Sequence, residues 1–432
     1  MIIDFTVENY LSIKNEQTFS MVAERDKSHL SDNLFAYSDK ISILKTAAIF
    51  GPNGSGKTNL IFALDNLIDM VVKSSSYEEG DSIPCYLPYE LSEDTINSPT
   101  KFDLEFIVGN KRYSYQIQFD EYQIVYEALF YYPSVKPAKI FERTSSSDWN
   151  SEDGISFGSY YKGGKRRHAY FPNNSYLSKA GRNPESPKFI RDVYNYFRKD
   201  MRVRLSEAPP AVLGWDEDPI ARSTMKCLMT NLGLGIVDFK IEHGDLDPKH
   251  EKAIADFPKP MQEAVKREMS KTIKYGHLTE TGEMHYISDE YESLGTRKLF
   301  DYLPTILLTL RNGEVLVVDE VSTNFHSHVL ELLVKLFNDP KVNVNNAQLI
   351  FTTHDLMIMR SNALRKDQIY LAEKTNGMTE YTSLDEFDSS LRNNSPFEKW
   401  YYEGRLGAVP SLEYSEISEN VSALIKGAET NA

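Results

Sequence analysis

The chain has 432 residues, 41% of them hydrophobic, a length that suits roughly two or three domains or one large domain with insertions. Its 48 Lys and Arg against 63 Asp and Glu give a net charge of −15, which argues against a protein that coats nucleic acid over its whole surface, because phosphate neutralisation requires clustered Lys and Arg. No apolar run approaches the roughly 20 residues of a membrane-spanning helix, so we expect a cytoplasmic protein that makes no membrane contact.

Residues 1–80 are predicted to form the N-terminal half of a nucleotide-binding core. Alternating apolar and polar residues near the N-terminus favour two strands, and ISILKTAAIF at 41–50 is a continuous apolar strand. The segment GPNGSGKT follows at once and fits the phosphate-loop pattern G-x-x-x-x-G-K-[ST]. The helix expected at about 57–72 places its apolar residues on one face. A strand, a glycine loop and a helix in this order are the context that the motif requires.

The phosphate loop predicts ATP and Mg²⁺ as ligands. Its glycines let backbone N–H groups wrap the phosphates, Lys57 reaches the β and γ oxygens, and the Thr58 hydroxyl is offered to Mg²⁺. The residues predicted to bind the nucleotide here are Gly51, Pro52, Asn53, Gly54, Ser55, Gly56, Lys57, Thr58 and Asn59.

Two segments separate this loop from the rest of the core. Residues 81–184 alternate aromatic and polar residues in strand-like runs and are predicted to form an antiparallel β-rich lobe. Residues 185–290 are predicted to be a compact, mostly helical insertion without the sustained heptads of a coiled coil. Its helical patterns include PIARSTMKCLMTNLG, DPKHEKAIADF and PKPMQEAVKREMSKTIK.

Basic residues concentrate at 159–204, a segment that contains twelve Lys or Arg and three Asp or Glu. Two interpretations of this segment stay open. It is either a solvated surface that can dock an acidic part of another chain, or a contact with nucleic acid.

Residues 291–414 resume the α/β core, before a weakly ordered tail at 415–432. The apolar strand VLVV ends in Asp319 and Glu320. Such strand ends are common as solvated acidic pairs. Beside a phosphate loop, however, Asp319 is predicted to hold Mg²⁺ through water, and Glu320 to orient or deprotonate the attacking water.

Two further motifs complete the set. The strand LIFTT leads to His354, which is predicted to sense the γ-phosphate although a histidine after a strand is more often structural. The segment YESLGTRKLF begins a helix with Ser293, Gly295 and Thr296, and a helix N-terminus with a small hydroxyl and a glycine is an anion site. The same residues can also serve only as an N-cap.

The order of these motifs resembles the heads of the structural-maintenance-of-chromosomes and overcoming-lysogenization-defect ATPases, which belong to the ABC class. VENYLSI, ESLGTRKLF, FHSH and KWYYEGRLGAVPSL are also similar to stand-alone ATPases of bacterial antiphage loci: the AriA-like ATPase of the phage anti-restriction-induced system, RloA and the abortive-infection L-type ATPases. The resemblance implies an α/β P-loop NTPase fold of the ABC ATPase head type, with an antiparallel β-lobe and a short helical insertion in place of a coiled coil.

In that class the signature motif caps the γ-phosphate held by the other head of a dimer. The resemblance therefore implies a homodimer arranged head to tail around two ATP, with Lys57, Glu320 and His354 as catalytic residues and the signature facing the partner's nucleotide. Higher oligomers occur in the resembling systems. After Glu320, this chain departs from the family pattern, having Ser322 for an acid, Phe325 for Leu and Ser327 for Pro.

Some family members carry a toprim nuclease domain after the His loop, and the 78 residues that follow His354 are too few for one. The resemblance then implies an ATP-hydrolysing sensor and scaffold that holds or releases a separately encoded effector, namely a toprim-type nuclease, and that answers to a phage trigger protein. The alternative is an ATPase of DNA repair or recombination, similar to RecF, that binds DNA directly. A transporter motor is disfavoured by the β-lobe.

Overall fold

The computed structural model describes residues 1–144, 149–205, 214–246, 254, 259–322, 325–360, 363–388, 391–393, 395–409 and 413–429. The strands of these segments are β1 (Ile2–Glu8), β2 (Gln17–Ser20), β3 (Leu34–Ala36), β4 (Ser42–Leu44), β5 (Thr46–Phe50), β6 (Thr100–Val108), β7 (Lys111–Phe119), β8 (Ile124–Tyr131), β9 (Ala138–Thr144), β10 (Ile155–Phe157), β11 (Met201–Arg204), β12 (Asp238–His243), β13 (Lys271–Leu278), β14 (Met284–Ser288), β15 (Val315–Val318), β16 (Gln348–Thr352), β17 (Ile369–Thr375) and β18 (Met378–Ser383).

The helices of the same segments are α1 (Lys57–Lys73), α2 (Glu93–Ile96), α3 (Tyr176–Gly181), α4 (Lys188–Asn195), α5 (Pro219–Asn231), α6 (Lys259–Met269), α7 (Leu294–Asn312), α8 (Ser327–Asn338), α9 (Met357–Arg360), α10 (Leu384–Phe387), α11 (Phe397–Tyr402) and α12 (Tyr414–Glu429). A π-helical turn, Tyr196–Asp200, continues α4. Among the helices that the structure describes, none combines the length and the apolar character needed to span a membrane.

A seven-stranded sheet joins the N-terminal hairpin to the β-rich lobe. Its strand order is β10-β9-β8-β7-β6-β1-β2, and all neighbouring strands are antiparallel. Burial alternates along β6, because one face of the strand covers the core and the other faces solvent. The antiparallel lobe expected from the alternating aromatic residues is therefore present.

A six-stranded sheet forms the nucleotide core, with the order β11-β15-β16-β5-β17-β18. All neighbouring strands are parallel except β17 and β18, which are antiparallel. Because β5, β15 and β16 are parallel neighbours, their carboxyl ends meet at one edge of the sheet. This edge carries the phosphate loop, the acidic pair and the segment that leads to His354.

The core sheet is buried on both faces. Ala47 and Ile49 of β5 pack into the cluster that surrounds α1, whereas Ala48 and Phe50 pack into the cluster that contains α7 and α8. Side chains of a strand alternate between faces, so continuous apolar runs are the pattern expected of buried parallel strands.

The prediction that residues 185–290 are mostly helical is wrong for part of that segment. Strand β11 belongs to the core sheet, and β12, β13 and β14 form a separate three-stranded antiparallel sheet. Helix α6 ends at Met269, and β13 begins two residues later because Ile273 and Tyr275 alternate with polar residues and pack beside α7. The helix expected at DPKHEKAIADF lies outside the described residues, apart from Ile254.

The C-terminal tail also differs from expectation. Residues predicted to be weakly ordered contain α12, whose Ile417, Val421 and Leu424 recur at helical spacing. These three side chains are exposed. The domain boundaries drawn from the sequence otherwise stay predictions.

Candidate nucleotide-binding site

The phosphate loop begins directly after β5 and contains two glycines with strongly positive φ. Gly54 has φ 78° and Gly56 has φ 95°, values that side-chain-bearing residues rarely adopt. A Cβ on Gly56 would also clash with the Thr379 hydroxyl. Glycine at 56 is therefore required both by the backbone conformation and by the close approach of β18.

Lys57 is buried, and its ammonium group folds back over the loop. Its Nζ donates to the carbonyl oxygens of Gly51 at 2.8 Å and Pro52 at 3.0 Å. Burial lowers the pKa of Lys57, while the negative charges of Glu320 and Asp319 oppose that shift. The lysine charge is thus held between the loop and the acidic strand end, where it can meet a phosphate oxygen.

Asp319 joins α1 to the core strands through two hydroxyl groups. Thr58 Oγ1 donates to Asp319 Oδ2 at 3.0 Å, and Thr352 Oγ1 donates to Asp319 Oδ1 at 2.5 Å. The Asp319 carboxylate is buried. A hydroxyl and a carboxylate oxygen side by side are the hard ligands that Mg²⁺ takes together with phosphate oxygens and water.

No group of three or more His, Cys, Asp or Glu side chains within the described ranges is arranged to hold a metal ion. At a phosphate-binding loop, Mg²⁺ generally takes its remaining ligands from the nucleotide and from water. The pair of Thr58 and Asp319 fits such an ion, because Mg²⁺ usually keeps several waters and binds one or two protein oxygens beside substrate phosphates.

Glu320 has a left-handed backbone conformation with φ 49°. Its N–H donates to Thr352 Oγ1 at 2.7 Å, and the next N–H, of Val321, bonds to the Thr352 carbonyl at 3.2 Å. A non-glycine residue in this region costs on the order of 1 kcal/mol, which the surrounding bonds must offset. Two hydrogen bonds to Thr352 therefore hold the turn that follows β15.

His354 lies one strand away, two residues past the end of β16. Burial lowers the pKa of His354 from 6.5, the positive charge of Lys57 lowers it further, and the charges of Glu320 and Asp319 oppose the change. These mutual electrostatic effects show that the four side chains share one electrostatic environment. The structure therefore brings together the predicted residues Lys57, Thr58, Asp319, Glu320 and His354.

The signature residues stand apart from this group. Ser293 is the N-cap of α7, and its Oγ accepts from Thr296 N at 3.0 Å and contacts Thr296 Oγ1 at 2.8 Å. Within the part of the chain that the structure describes, no hydrogen bond or ion pair links Ser293, Gly295 or Thr296 to the phosphate loop. The N-cap role is present, and the anion-binding role stays a prediction.

Several supporting residues were not found from the sequence. Thr379 Oγ1 donates to the Ser55 carbonyl at 2.8 Å, and the Tyr381 hydroxyl donates to the Gly56 carbonyl at 2.6 Å. Asn59, whose predicted contact with nucleotide stays a prediction, donates through its side chain to Ser12 Oγ at 2.6 Å. These bonds fix the loop from outside, and their partners lie too far apart in sequence for a pattern to reveal them.

The segment after Glu320 packs in two places. Ser322 Oγ contacts Thr353 Oγ1 at 2.6 Å, so the serine that replaces the family's acid is tied to the His loop. Phe325 meets the ring of Tyr302 edge to face, with centroids 5.9 Å apart. His326 is the N-cap of α8, and its ring lies tilted against that of His328, with centroids 4.9 Å apart.

Comparison with protein families matches the chain to the family described as "AAA domain, putative AbiEii toxin, Type IV TA system", over residues 47–196 and 244–360. The matched segments cover more than half of the chain and include the phosphate loop, the acidic pair and His354. The chain belongs to this AAA-domain family. A search of the curated proteins found no match.

Among solved structures, the chain is similar to the SMC head domain from Thermotoga maritima, with 12% identity, a TM-score of 0.41, and coverage of 88% of this chain and 98% of that chain. It is also similar to the Smc head domain with an extended coiled coil, bound to the C-terminal domain of ScpA, from Pyrococcus furiosus, with 11% identity, a TM-score of 0.43, and coverage of 94% and 99%.

The core sheet order, the phosphate loop and membership of the AAA-domain family together define the fold class. The protein has an α/β P-loop NTPase fold of the ABC ATPase head type with an antiparallel β-lobe. Its family membership makes it an ATPase of the AAA type.

Proposed function

We propose that the protein hydrolyses ATP to ADP and phosphate with Glu320 as the general base. The observation that carries the proposal is the bonded chain that runs from Thr58 through Asp319 and Thr352 to the backbone of Glu320. Two acidic residues, Asp319 on the metal side and Glu320 as the proposed base, follow the same strand, and the charges of both oppose the lowering of the Lys57 pKa. This is the set of groups that phosphoryl transfer to water requires.

In the proposed reaction, the Glu320 carboxylate takes a proton from water as the water oxygen bonds to the γ-phosphorus. The bond from that phosphorus to the bridging β–γ oxygen breaks, and ADP keeps the bridging oxygen. Lys57 stabilises the charge on the β and γ oxygens, and His354 contacts the γ-phosphate from the neighbouring strand. Mg²⁺ held by Thr58 and Asp319 would neutralise charge on the phosphate oxygens.

We further propose that two copies complete each site. Ser293 bonds only within its own helix turn in the described chain, and its neighbours Tyr291 and Leu294 are 78% and 50% exposed. Large apolar side chains around a helix N-terminus suit a surface that another protein covers. A head-to-tail homodimer would bring this surface over the phosphate loop of the partner, with two ATP between the copies.

The biological role that we propose is a sensor and scaffold in antiphage defence. The resemblance to AriA-like, RloA and abortive-infection L-type ATPases supports this role, and the matched family's description names a toxin and a type IV TA system. ATP-dependent opening and closing of the dimer would hold or release a separate effector, a toprim-type nuclease, in response to a phage trigger protein. Nucleotide can shift this equilibrium only by its different affinity for the two states.

The reaction is tested with Glu320→Gln, which keeps the size of the side chain and removes its ability to accept a proton. We expect ATP turnover to fall by about 100-fold or more while binding of a fluorescent ATP analogue is retained. Glu331→Gln is the matched control, because Glu331 lies in a surface ion pair with Lys335 on α8. A Glu320→Gln chain that releases phosphate at the parental rate would exclude Glu320 as the base.

The effector is tested by affinity purification of the same variant from its native cells. Glu320→Gln should accumulate in the ATP-bound state, whereas Lys57→Ala should not hold nucleotide. We expect a toprim-type nuclease in mass spectra of one of these two preparations and its depletion from the other. Equal recovery of the nuclease with both variants, or its absence from both, would contradict an ATP-controlled scaffold.

A second candidate, direct binding of nucleic acid, is favoured by one feature of the basic segment. A cleft of about 630 Å³ lies between the end of α1, helix α3 and the π-helical turn, and its lining includes Lys73, Arg182 and Arg198. The Arg182 charge also contributes to a lowered pKa of Lys179, whose main cause is burial. Crowded cations on an acidic protein suit a phosphate backbone.

A further inference from the structure

Arg204 is the last residue of β11, at the border of the core sheet, and it is 5% exposed. No ion pair recorded among the described residues includes it, although its charge opposes the rise that burial causes in the pKa of Asp301, and its Nε is buried without a hydrogen-bond partner in the described chain. Burying an arginine without an ion pair lowers the stability of the fold, because its charge loses contact with water. A Met or Leu would fill the space with a smaller loss of stability. The position of this guanidinium therefore indicates a role other than stabilising the fold.

The guanidinium contacts helix α7 at three points. Its carbon lies 4.1 Å from the centroid of the Tyr302 ring, a distance typical of a stacked cation–π pair. Its NH1 donates weakly to the Asp301 carbonyl at 3.4 Å and to Thr305 Oγ1 at 3.3 Å. Since Ser293 and Gly295 begin the same helix, Arg204 connects the edge of the core sheet to the signature helix.

Both partners in this contact also touch the nucleotide site. The backbone N–H of Asp319 donates to the Arg204 carbonyl at 2.9 Å, so β11 sets the position of the metal-side carboxylate. Tyr302 is 5% exposed, and its ring packs against Phe325 of the segment after Glu320. Burial raises the pKa of Tyr302, the Arg204 charge opposes that rise, and the Asp319 charge adds to it, so the Arg204 and Asp319 side chains both lie within electrostatic reach of Tyr302.

We infer that Arg204 and Tyr302 are positioning residues that couple the signature helix α7 to Asp319 and to the segment after Glu320. A shift of α7 when the partner's nucleotide meets Ser293 and Gly295 would pass through the stacked pair to both sides of the catalytic strand end. The inference rests on the proposed hydrolysis by a composite dimer. Neither side chain is expected to contact the nucleotide.

The contact can be changed in graded steps. Tyr302→Phe keeps the ring that stacks on Arg204 and Phe325, whereas Tyr302→Leu removes it. Arg204→Lys keeps a positive charge and loses the planar group that stacks. Arg202→Met is the matched control, since Arg202 lies on the same strand and its ion pair is with Glu314, just past the C-terminal end of α7 and at the opposite end of that helix from Ser293.

Two quantities separate coupling from a structural role: affinity for a fluorescent ADP analogue, which needs only the phosphate loop, and steady-state ATP turnover. We expect Tyr302→Leu and Arg204→Lys to lower kcat about 3- to 30-fold with little change in analogue affinity or melting temperature. Tyr302→Phe and Arg202→Met should keep the parental kcat.

The outcomes are distinguishable. If Tyr302→Leu and Arg204→Lys turn over ATP like the parental protein, or lose analogue affinity and kcat together, the coupling role is wrong while the proposed hydrolysis stands. If Tyr302→Leu does not fold, the kcat and analogue affinity of Arg204→Lys are compared with those of Arg202→Met, and the same two outcomes apply. A parental chain without turnover would overturn the proposed hydrolysis and this inference with it.

Discussion

The phosphate-loop edge and the start of the signature helix differ in how far one chain satisfies their polar groups. At the edge, Thr58, Asp319, Thr352 and the backbone of Glu320 form a continuous hydrogen-bonded chain. At the helix start, Ser293 caps its own turn and is flanked by exposed apolar side chains. In the proposed dimer, one chain supplies the phosphate-binding half of each site and the signature helix of its partner supplies the opposite half.

The largest effect is expected from separating these two halves. Lys57→Ala removes the phosphate-binding charge, and Gly295→Asp places a carboxylate at a helix N-terminus aimed at a γ-phosphate, where repulsion in a dry site reaches several kcal/mol. Each homodimer should lose nearly all ATP turnover. Because the proposed sites are shared, a mixed dimer should regain one intact site, formed by the Gly295→Asp loop and the Lys57→Ala signature.

The assay compares phosphate release by doubly tagged heterodimers with that of each mutant homodimer. Gly295→Ala is the control for a small change without charge. A mixed dimer as inactive as its parents would mean that both sites must act together or that the signature serves its own chain. Full turnover by the Gly295→Asp homodimer would refute the role of the signature itself.

The next effect concerns the half that one chain builds alone. Thr352 is fully buried, and its hydroxyl both donates to Asp319 and accepts from the Glu320 N–H. Thr352→Val leaves both partners unsatisfied and should lower the free energy of unfolding by about 1–3 kcal/mol and turnover by about 10- to 100-fold. Thr352→Ser keeps the hydroxyl and should therefore keep most of the stability and most of the turnover. Denaturant unfolding and phosphate release test the pair, and equal behaviour of Val and Ser would show that the hydroxyl is dispensable.

The sequence predicts the phosphate-loop edge well because each part carries its own local pattern. A buried run before Asp319, a glycine loop after β5 and an apolar strand before His354 suffice, since parallel neighbouring strands bring their ends together. The sequence does not reveal the role of Thr352, because that role depends on a hydrogen bond to Asp319, 33 residues away in the chain. Nothing local distinguishes it from any threonine in a buried strand.

Two other misses have different causes. Only one residue separates α6 from strand β13, so the sequence pattern of the helix is followed at once by an alternating one. The burial of β13 depends on its contact with α7, which the local sequence does not show. Arg204 lies in a stretch dense in basic residues, for which the sequence leaves a solvated docking surface and a nucleic-acid contact open, whereas its side chain is buried against Tyr302. Net charge over a segment cannot separate a stacked interior arginine from an exposed one such as Arg198.

A smaller effect is expected at the basic cleft, which lies at the far end of α1 from the phosphate loop. Reversing Arg182 and Arg198 to Glu should weaken binding of a fluorescent DNA oligonucleotide about three- to tenfold and reduce its salt dependence, with basal turnover unchanged. Lys188→Glu is the control, because Lys188 is already paired with Asp192. Arg167 is unsuitable, since it donates to the Trp149 and Ser151 carbonyls. Parental affinity in the double variant would remove the cleft as a DNA site.

The smallest effect concerns the charge of His354 at the phosphate-loop edge. Its pKa lies below 6.5 in the nucleotide-free chain, because burial and the Lys57 charge disfavour the imidazolium, against the opposing charges of Glu320 and Asp319. A bound γ-phosphate adds negative charge beside the ring and should raise this pKa. Nucleotide binding then takes up a proton at any pH between the two values, so affinity rises as the pH falls through that window.

We expect the affinity of Glu320→Gln for ATP to increase about two- to fivefold across that window, beyond the change that ATP's own titration causes. The same measurement on a Glu320→Gln chain that also carries His354→Gln supplies the reference, because glutamine can bond a phosphate and does not titrate. The difference between the two curves isolates the histidine. Identical curves would mean that His354 does not sense the γ-phosphate through its charge, whereas a difference that also appears with ADP would assign the effect to the phosphate loop as a whole.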